Sequence, residues 1–170
     1  SPSENLAAAR IEVAACAKAG AKIVVLPEMF AIFGVSDQLA AGMAEKTASG
    51  PIRSFMSSLA REYSVWLVGG TVPTTAANPY TQAPALQDRV YAASYVYNSE
   101  GQELTRYDKV HLFDAQVNDA QGAYRESKTF APGIAPVSVD SPWGRLGIAV
   151  CYDLRFPEYF RKLSEQACDL

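Results

Sequence analysis

The chain has 170 residues, of which 49% are hydrophobic and 19% are charged, and its formal net charge is −3 at pH 7. This composition excludes a disordered segment, and the interspersed charges provide no basic surface for nucleic acid or for an anionic membrane. No run approaches the roughly 20 apolar residues of a membrane span. The length therefore suits one domain whose partner is a small molecule.

The cysteines and the histidine limit the available chemistry. Cys16, Cys151 and Cys168 are odd in number and include no Cys-x-x-Cys pair, which indicates a reducing compartment. The amino terminus shows no charged segment followed by a long apolar one, so we expect a cytoplasmic protein. A single histidine, His111, supplies a zinc site poorly, and we expect neither a metal nor another cofactor.

The first residues predict an amphipathic helix followed by a strand. Ser1 stands as an N-cap, and Glu4 completes a capping box with it. Apolar residues then recur every three or four positions until Gly20, which is expected to end the helix. Residues 22–27 form a continuous β-branched run, typical of a strand covered on both faces, and Glu28 follows this strand.

The same order repeats before the pattern changes to hairpins. Gly50-Pro51 begins a second helix and residues 65–72 form a second strand, an alternation that predicts an α/β layered fold. Residues 73–89 lack periodicity and are predicted to be a surface loop. Residues 90–107 predict a β-hairpin that turns at residues 98–101.

The second half of the chain contributes two more candidate residues. Lys109 lies just beyond the first hairpin. Residues 113–136 are long and irregular, and a loop of this length in a compact domain is usually either functional or disordered; we expect a functional loop. Residues 137–150 predict a second hairpin that leads to Cys151, and residues 157–168 predict the last helix. An alternating fold would continue with another strand, but the sequence stops before one.

Cys151 stands where an apolar strand meets the turn into the last helix. A reactive group at such a turn faces backbone N–H groups and the positive end of the helix, and both features are expected to lower the thiol pKa. The alternative is a buried structural cysteine. Glu28 and Lys109 also follow strands, whose carboxyl ends collect functional residues in α/β folds. A carboxylate can serve as base for the thiol, and an ammonium can stabilise an oxyanion.

Four segments resemble the motifs of the nitrilase (carbon-nitrogen hydrolase) superfamily, in the order found in that family. Residues 25–30 resemble its glutamate motif, residues 106–113 its lysine motif and residues 147–158 its cysteine motif. Residues 124–127 resemble the segment that carries the family's second glutamate. The resemblance implies an α-β-β-α sandwich, present over residues 1–170 as a single carbon-nitrogen hydrolase domain that lacks the first strand and the C-terminal part.

The resemblance also implies a role for each candidate residue. Cys151 would attack the amide carbonyl carbon and form a covalent thioester. Glu28 would accept the thiol proton, pass a proton to the departing amine and then activate water. Lys109 and the backbone N–H of Tyr152 would bind the oxyanion. Glu126 would orient Lys109 and help to position the substrate.

The motifs, together with residues 66–71, look most like the Nit branch, which includes deaminated glutathione amidases and omega-amidases. The implied reaction is release of ammonia from a small carboxylate-bearing amide, such as deaminated glutathione or an α-keto acid amide, with water as the second reactant. A nitrilase or an acyltransferase on the same scaffold, and a non-catalytic interaction module, are the alternatives. The helix contacts usual in the family imply a homodimer or a higher homo-oligomer.

Several other polar and aromatic residues are expected to be structural. Asp153 and Arg155 are predicted to pair and to fix the turn at Cys151. His111 is expected to be structural rather than catalytic. Packing roles are also predicted for three tyrosines of the first hairpin and for the two remaining cysteines, namely Tyr95, Tyr97, Tyr107, Cys16 and Cys168.

Overall fold

The computed structural model describes residues 1–116 and 123–170, and for residues 35–37 it describes the backbone alone. In these ranges the helices are α1 (Pro2–Lys18), α2 (Val35–Ala44), α3 (Pro51–Tyr63) and α4 (Pro157–Glu165). The strands are β1 (Ile23–Val25), β2 (Trp66–Thr74), β3 (Tyr91–Tyr97), β4 (Glu103–Asp108), β5 (Asp114–Gln116), β6 (Ala123–Arg125), β7 (Val137–Ser141) and β8 (Gly144–Ile148). Short 3-10 turns span Glu126–Lys128 and Cys151–Arg155.

Strands β1 to β4 form one sheet in chain order. β1 is parallel to β2, with Ile23 opposite Trp66, because α2 and α3 form the crossover between them. The β2–β3 and β3–β4 pairs are antiparallel. β7 pairs with β8 and β5 pairs with β6, both in antiparallel fashion. Both hairpins predicted from the sequence, β3–β4 and β7–β8, are therefore confirmed.

Apolar side chains cover both faces of the four-stranded sheet. On one face α1 and α3 pack through a cluster that includes Val13 and Met56. On the other face the β7–β8 pair and α4 contribute Ile148 and Leu163 to a second cluster, which also contains Tyr107 of β4. The resulting order of helix, sheet, sheet and helix confirms the α-β-β-α sandwich expected from the sequence.

The helix ends follow the local sequence. The Glu4 carboxylate accepts hydrogen bonds from the backbone nitrogen of Ser1 at 2.7 Å and from its hydroxyl at 3.0 Å, which confirms the predicted capping box. Helix α4 ends before residue 168, earlier than predicted, and Ala167 adopts a left-handed φ of 56° shortly after it. No helix in the described ranges is long and apolar enough to span a bilayer.

The last two residues lie beside β8. The Asp169 N–H donates to the carbonyl of Arg145 at 2.8 Å, and the carbonyl of Leu170 accepts from the Gly147 N–H at 2.8 Å. These bonds hold the last two residues against β8, while the β7–β8 sheet itself has two strands in the described ranges.

Two features of the first half differ from the sequence prediction. β1 is shorter than the apolar run, and the side chain of Val25 is 67% exposed, so the strand is not covered on both faces. β1 lies at the edge of its sheet, where Val25 borders an open groove. Helix α2 has no counterpart in the prediction, because its short alanine-rich sequence has weak apolar periodicity.

Candidate active site

Glu28 is held by close approach of the chain to β2. A Cβ atom at Gly70 would lie 1.8 Å from the carbonyl oxygen of Pro27, so only glycine allows this contact. The β2 ladder is irregular between Gly69 and Val72, which places Thr71 beneath the turn. The Thr71 hydroxyl accepts a hydrogen bond from the N–H of Met29 at 2.8 Å. The backbone on both sides of Glu28 is therefore fixed by β2.

Lys109 is anchored at the end of β4. Its backbone N–H donates to Ala92 at 3.0 Å, and its carbonyl accepts from the N–H of Gly133 at 2.8 Å. The side chain is only 2% exposed, and its Nζ donates to the carboxylate of Glu28 at 2.8 Å and to that of Glu126 at 3.0 Å. Burial alone would lower the pKa of Lys109, but the two carboxylates outweigh burial and raise the pKa above its ordinary value.

Glu126 reaches the site from the 3-10 turn that follows β6. Its backbone N–H donates to the carbonyl of Phe113 at 3.2 Å, and its carboxylate accepts from the N–H of Phe113 at 2.6 Å. Both carboxylate oxygens lie 3.0 Å from the Nζ of Lys109. The long irregular segment thus delivers a second carboxylate to the lysine, which leaves the ammonium charged inside the protein.

Cys151 is exposed and lies at a strained point of the backbone. Its φ of 49° is left-handed, which is uncommon for a residue other than glycine and is typical of functional turns. Cys151 and Glu28 both line a groove of about 410 Å³ between β1 and β8. The site therefore brings Glu28 beside the thiol and the lysine at once.

The thiol pKa differs from the sequence expectation. Burial, followed by the charge of the Glu28 carboxylate, raises the pKa of Cys151, and the ammonium of Lys109 compensates only in part. The expectation of a lowered pKa is wrong because burial of the thiol and the Glu28 carboxylate together outweigh the Lys109 ammonium. The Glu28 carboxylate therefore lies close enough to the thiol to act on its pKa.

Tyr152, the residue after Cys151, belongs to a cluster of aromatic rings. Its ring contacts Phe113 with 5.0 Å between centroids and Phe156 with 5.4 Å, and Phe113 also contacts Tyr124 at 5.5 Å. The sequence analysis predicts no role for Phe113, Tyr124 or Phe156. The sequence does contain a signal for this cluster, because each of the three aromatic residues lies inside one of the four motifs.

Asp153 does not have the partner expected from the sequence. Its fully buried carboxylate accepts hydrogen bonds from Tyr107, His111 and Val150 rather than from Arg155, which is exposed. The predicted pair of Asp153 with Arg155 is therefore wrong, although the expectation that Asp153 fixes the turn is right. Sequence spacing favoured the near neighbour, whereas folding brings Tyr107 and His111 to the carboxylate.

The other structural expectations are confirmed by packing. His111 stacks on Phe156 with 3.7 Å between ring centroids and bonds Asp153 through Nδ1 at 2.7 Å. The hairpin tyrosines are buried, and the two remaining cysteines are partly buried against the apolar clusters: Tyr95, Tyr97, Tyr107, Cys16 and Cys168. In the described part of the chain, no group of three or more His, Cys, Asp or Glu residues could hold a metal ion.

The fold and the site together define an α-β-β-α protein with a thiol, a buried ammonium and two carboxylates where its strands end. The carbon-nitrogen hydrolase family matches this chain over residues 1–170. The chain belongs to that family.

Curated relatives agree with the family assignment. The chain is 36% identical to a deaminated glutathione amidase of Yersinia enterocolitica over 151 residues, which are 89% of this chain and 50% of the relative. It is 33% identical to omega-amidase NIT2 of Homo sapiens over 169 residues, which are 99% of this chain and 56% of the relative. The chain thus spans about half the length of the curated relatives that it matches.

Solved structures share the fold. Nit3 of Saccharomyces cerevisiae, described as a member of branch 10 of the nitrilase superfamily, has a TM-score of 0.73 and 29% identity, over 93% of this chain and 53% of that one. The NitFhit protein of C. elegans has a TM-score of 0.71 and 28% identity, over 92% of this chain and 36% of that one.

Proposed function

We propose that this chain carries the catalytic groups of an amidase that hydrolyses a C–N bond outside the peptide backbone through a thioester on Cys151. The observation that supports the proposal best is the buried Lys109 ammonium, held at 2.8 Å by Glu28 and at 3.0 Å by Glu126. A buried ammonium is costly unless it is paired, and here it lies where a thiol and a base share a groove.

The first half of the reaction forms the thioester. Glu28 accepts the proton of the Cys151 thiol as the sulfur attacks the amide carbon, and the carbonyl oxygen becomes an oxyanion. Lys109 and the backbone N–H of Tyr152 stabilise this oxyanion, a contribution of about 3 to 4 kcal/mol per donor in other enzymes. The C–N bond then breaks, Glu28 returns the proton to the nitrogen, and ammonia leaves.

The second half regenerates the thiol. Glu28 removes a proton from water, and the resulting hydroxide attacks the thioester carbon. The C–S bond breaks, Cys151 recovers a proton, and a carboxylic acid is released. Glu126 touches Lys109 throughout and keeps it charged and oriented, because removal of one carboxylate would leave the buried ammonium with a single counter-charge.

A small carboxylate-bearing amide is the proposed substrate, such as deaminated glutathione or an α-keto acid amide. The support comes from the relatives, which are named deaminated glutathione amidase and omega-amidase. We further propose a cytoplasmic protein that acts as a homodimer or a higher homo-oligomer, with water as its second reactant and no metal or other cofactor.

Ammonia release tests the proposal. The purified protein is incubated with α-ketoglutaramate or deaminated glutathione, and both ammonia and the acyl-enzyme mass are measured. We expect turnover with the parent protein, none with Cys151→Ala, and an acyl adduct on Cys151 after rapid quenching. Turnover of a nitrile in place of the amides would instead indicate a nitrilase, and transfer to an added amine an acyltransferase. Absence of all adducts on Cys151 would favour a non-catalytic interaction module.

A further inference from the structure

One buried carboxylate connects the segment around Lys109 to the turn around Cys151. We call residues 107–111 the lysine loop and residues 150–155 the cysteine elbow. Asp153 belongs to the cysteine elbow and is fully buried. Its Oδ2 accepts from the N–H of Val150 within the elbow at 2.8 Å. The other hydrogen bonds of its side chain cross to the lysine loop.

The crossing bonds lie on both sides of the lysine. The Tyr107 hydroxyl donates to Oδ2 of Asp153 at 2.7 Å, and the same hydroxyl accepts from the N–H of Val110 at 2.9 Å. The backbone N–H of His111 donates to Oδ1 at 3.1 Å, and its Nδ1 lies 2.7 Å from that oxygen. Because a carboxylate offers two oxygens with two lone pairs each, these bonds use its acceptor capacity fully.

Ring packing restrains both lysine-loop side chains that bond Asp153, namely His111 and Tyr107. The ring of His111 stacks on Phe156, the residue after the cysteine elbow, with 3.7 Å between ring centroids. The ring of Tyr107 contacts Tyr159 of α4 with 5.8 Å between ring centroids. Side chains with fixed rotamers and satisfied polar groups hold a site to within about 0.5 Å. The backbone of Lys109 therefore cannot shift relative to the cysteine elbow without breaking bonds to Asp153.

We propose that Asp153 is a positioning residue, which fixes the Lys109 ammonium relative to the Cys151 thiol by tying both flanks of the lysine to the elbow. Its catalytic meaning depends on the proposed amidase function. Asp153 does not touch the reacting atoms and acts through Tyr107 and His111. A misplacement of about 1 Å between reacting groups can reduce an enzymatic rate about 100-fold, so such a tie matters for the chemistry.

Two buried tyrosines provide a test and its control. Tyr107→Phe removes one bond between the lysine loop and Asp153 without changing charge. Tyr159→Phe removes a hydroxyl that donates to the Ile148 carbonyl at 2.5 Å and that also interacts with the Tyr107 hydroxyl, but it leaves the bond from Tyr107 to Asp153 in place. Tyr107→Phe also removes the acceptor of the Val110 N–H, so its melting temperature should fall further than that of Tyr159→Phe, and the comparison depends on the alkylation profile rather than on stability. Asp153→Asn is less informative, because its amide NH2 replaces an accepting oxygen and points a donor at groups that also donate, which endangers folding.

The readout is the pH dependence of Cys151 alkylation by iodoacetamide, which requires no turnover. In the parent, Lys109 lowers the thiol pKa and offsets part of the effect of Glu28. A loosened lysine loop weakens this compensation, so Tyr107→Phe should move the alkylation profile to higher pH and slow alkylation at pH 8 at least about threefold. Tyr159→Phe should leave the profile at the parental position. For amide hydrolysis, Tyr107→Phe should lower kcat about tenfold while KM changes less than about twofold.

A double-mutant cycle tests whether the effect passes through the lysine. In a Lys109→Met background, Tyr107→Phe should cause no further change in alkylation. Identical profiles for Tyr107→Phe and Tyr159→Phe, or an undiminished effect in the Lys109→Met background, would overturn the proposal. If the profile shifts as expected but the parent hydrolyses no amide, the positioning role stands and the amidase function fails. If the parent hydrolyses amides and the two tyrosine variants behave alike, only the positioning role fails.

Discussion

Glu28→Gln should change thiol reactivity and amide hydrolysis in opposite directions. Glu28 is the largest charged contributor to the raised pKa of Cys151, while Lys109 acts in the other direction. The substitution removes the unfavourable negative charge and leaves the ammonium, so the thiol pKa falls. At the same time it removes the proposed base, so amide hydrolysis should fall about 10²- to 10⁴-fold.

The size of the pKa change follows from the geometry of the site. A charge within about 4 to 6 Å typically shifts a pKa by about 1 to 3 units. Cys151 is exposed, so solvent screening weakens the effect of the Glu28 charge on the thiol pKa. The thiolate fraction near pH 7 should therefore rise about tenfold, and alkylation should accelerate by a similar factor at that pH.

Iodoacetamide labelling between pH 6 and 9, followed by peptide mass spectrometry, measures this change. In the parent, Cys151 should be labelled before the partly buried Cys16 and Cys168. Glu158→Gln is the matched control, because Glu158 is an exposed carboxylate paired with Arg161 and its loss is the same change in charge. A profile for Glu28→Gln that stays at the parental position, or moves to higher pH, would refute the assignment of Glu28 as neighbour and base of the thiol.

Three further changes test the remaining geometry. Glu126→Gln removes one of the two charges that hold Lys109, so kcat for ammonia release should fall about 10- to 100-fold, as expected for a lost charge-assisted hydrogen bond of about 1.5 to 3 kcal/mol. Gly70→Ala would place a Cβ 1.8 Å from the Pro27 carbonyl oxygen, so urea unfolding should show a loss of about 1 to 3 kcal/mol and activity should fall. Because the folded state raises the pKa of Lys109, its contribution to stability is complete below its ordinary value of 10.5 and is lost as pH rises through the folded pKa. The free energy of unfolding should therefore decrease less steeply with pH in this alkaline range for Lys109→Met than for the parent.

Each of these three predictions has a measurable outcome that would contradict it. An unchanged kcat for Glu126→Gln would exclude Glu126 from the support of Lys109. Gly20→Ala is the comparison for Gly70→Ala, since Gly20 has a φ of 93° but open space around it, and it should cost only the strain of a left-handed residue. Equal costs at the two glycines would argue against the close contact with Pro27. Parallel alkaline stability curves for the parent and Lys109→Met would argue against its raised pKa.

The sequence determined the local elements and the order of the candidate residues. The capping box at Ser1 and Glu4, the hairpins β3–β4 and β7–β8, and the helix after Gly50 all depend on interactions between residues close in the chain. Such interactions leave a signal in spacing and turn chemistry. The family motifs fixed which polar residues to consider, because each lies where a strand gives way to a turn.

Only the tertiary structure decided how those residues interact. Lys109 meets Glu28 across 81 positions of the chain, and Tyr107 meets Asp153 across 46, so no local pattern could show either contact. The partners of Asp153, the exposure of Val25 and the direction of the thiol pKa were accordingly mispredicted. Electrostatic energies depend on separation in space and on burial, and both quantities are set by the packing of distant segments rather than by the order of residues.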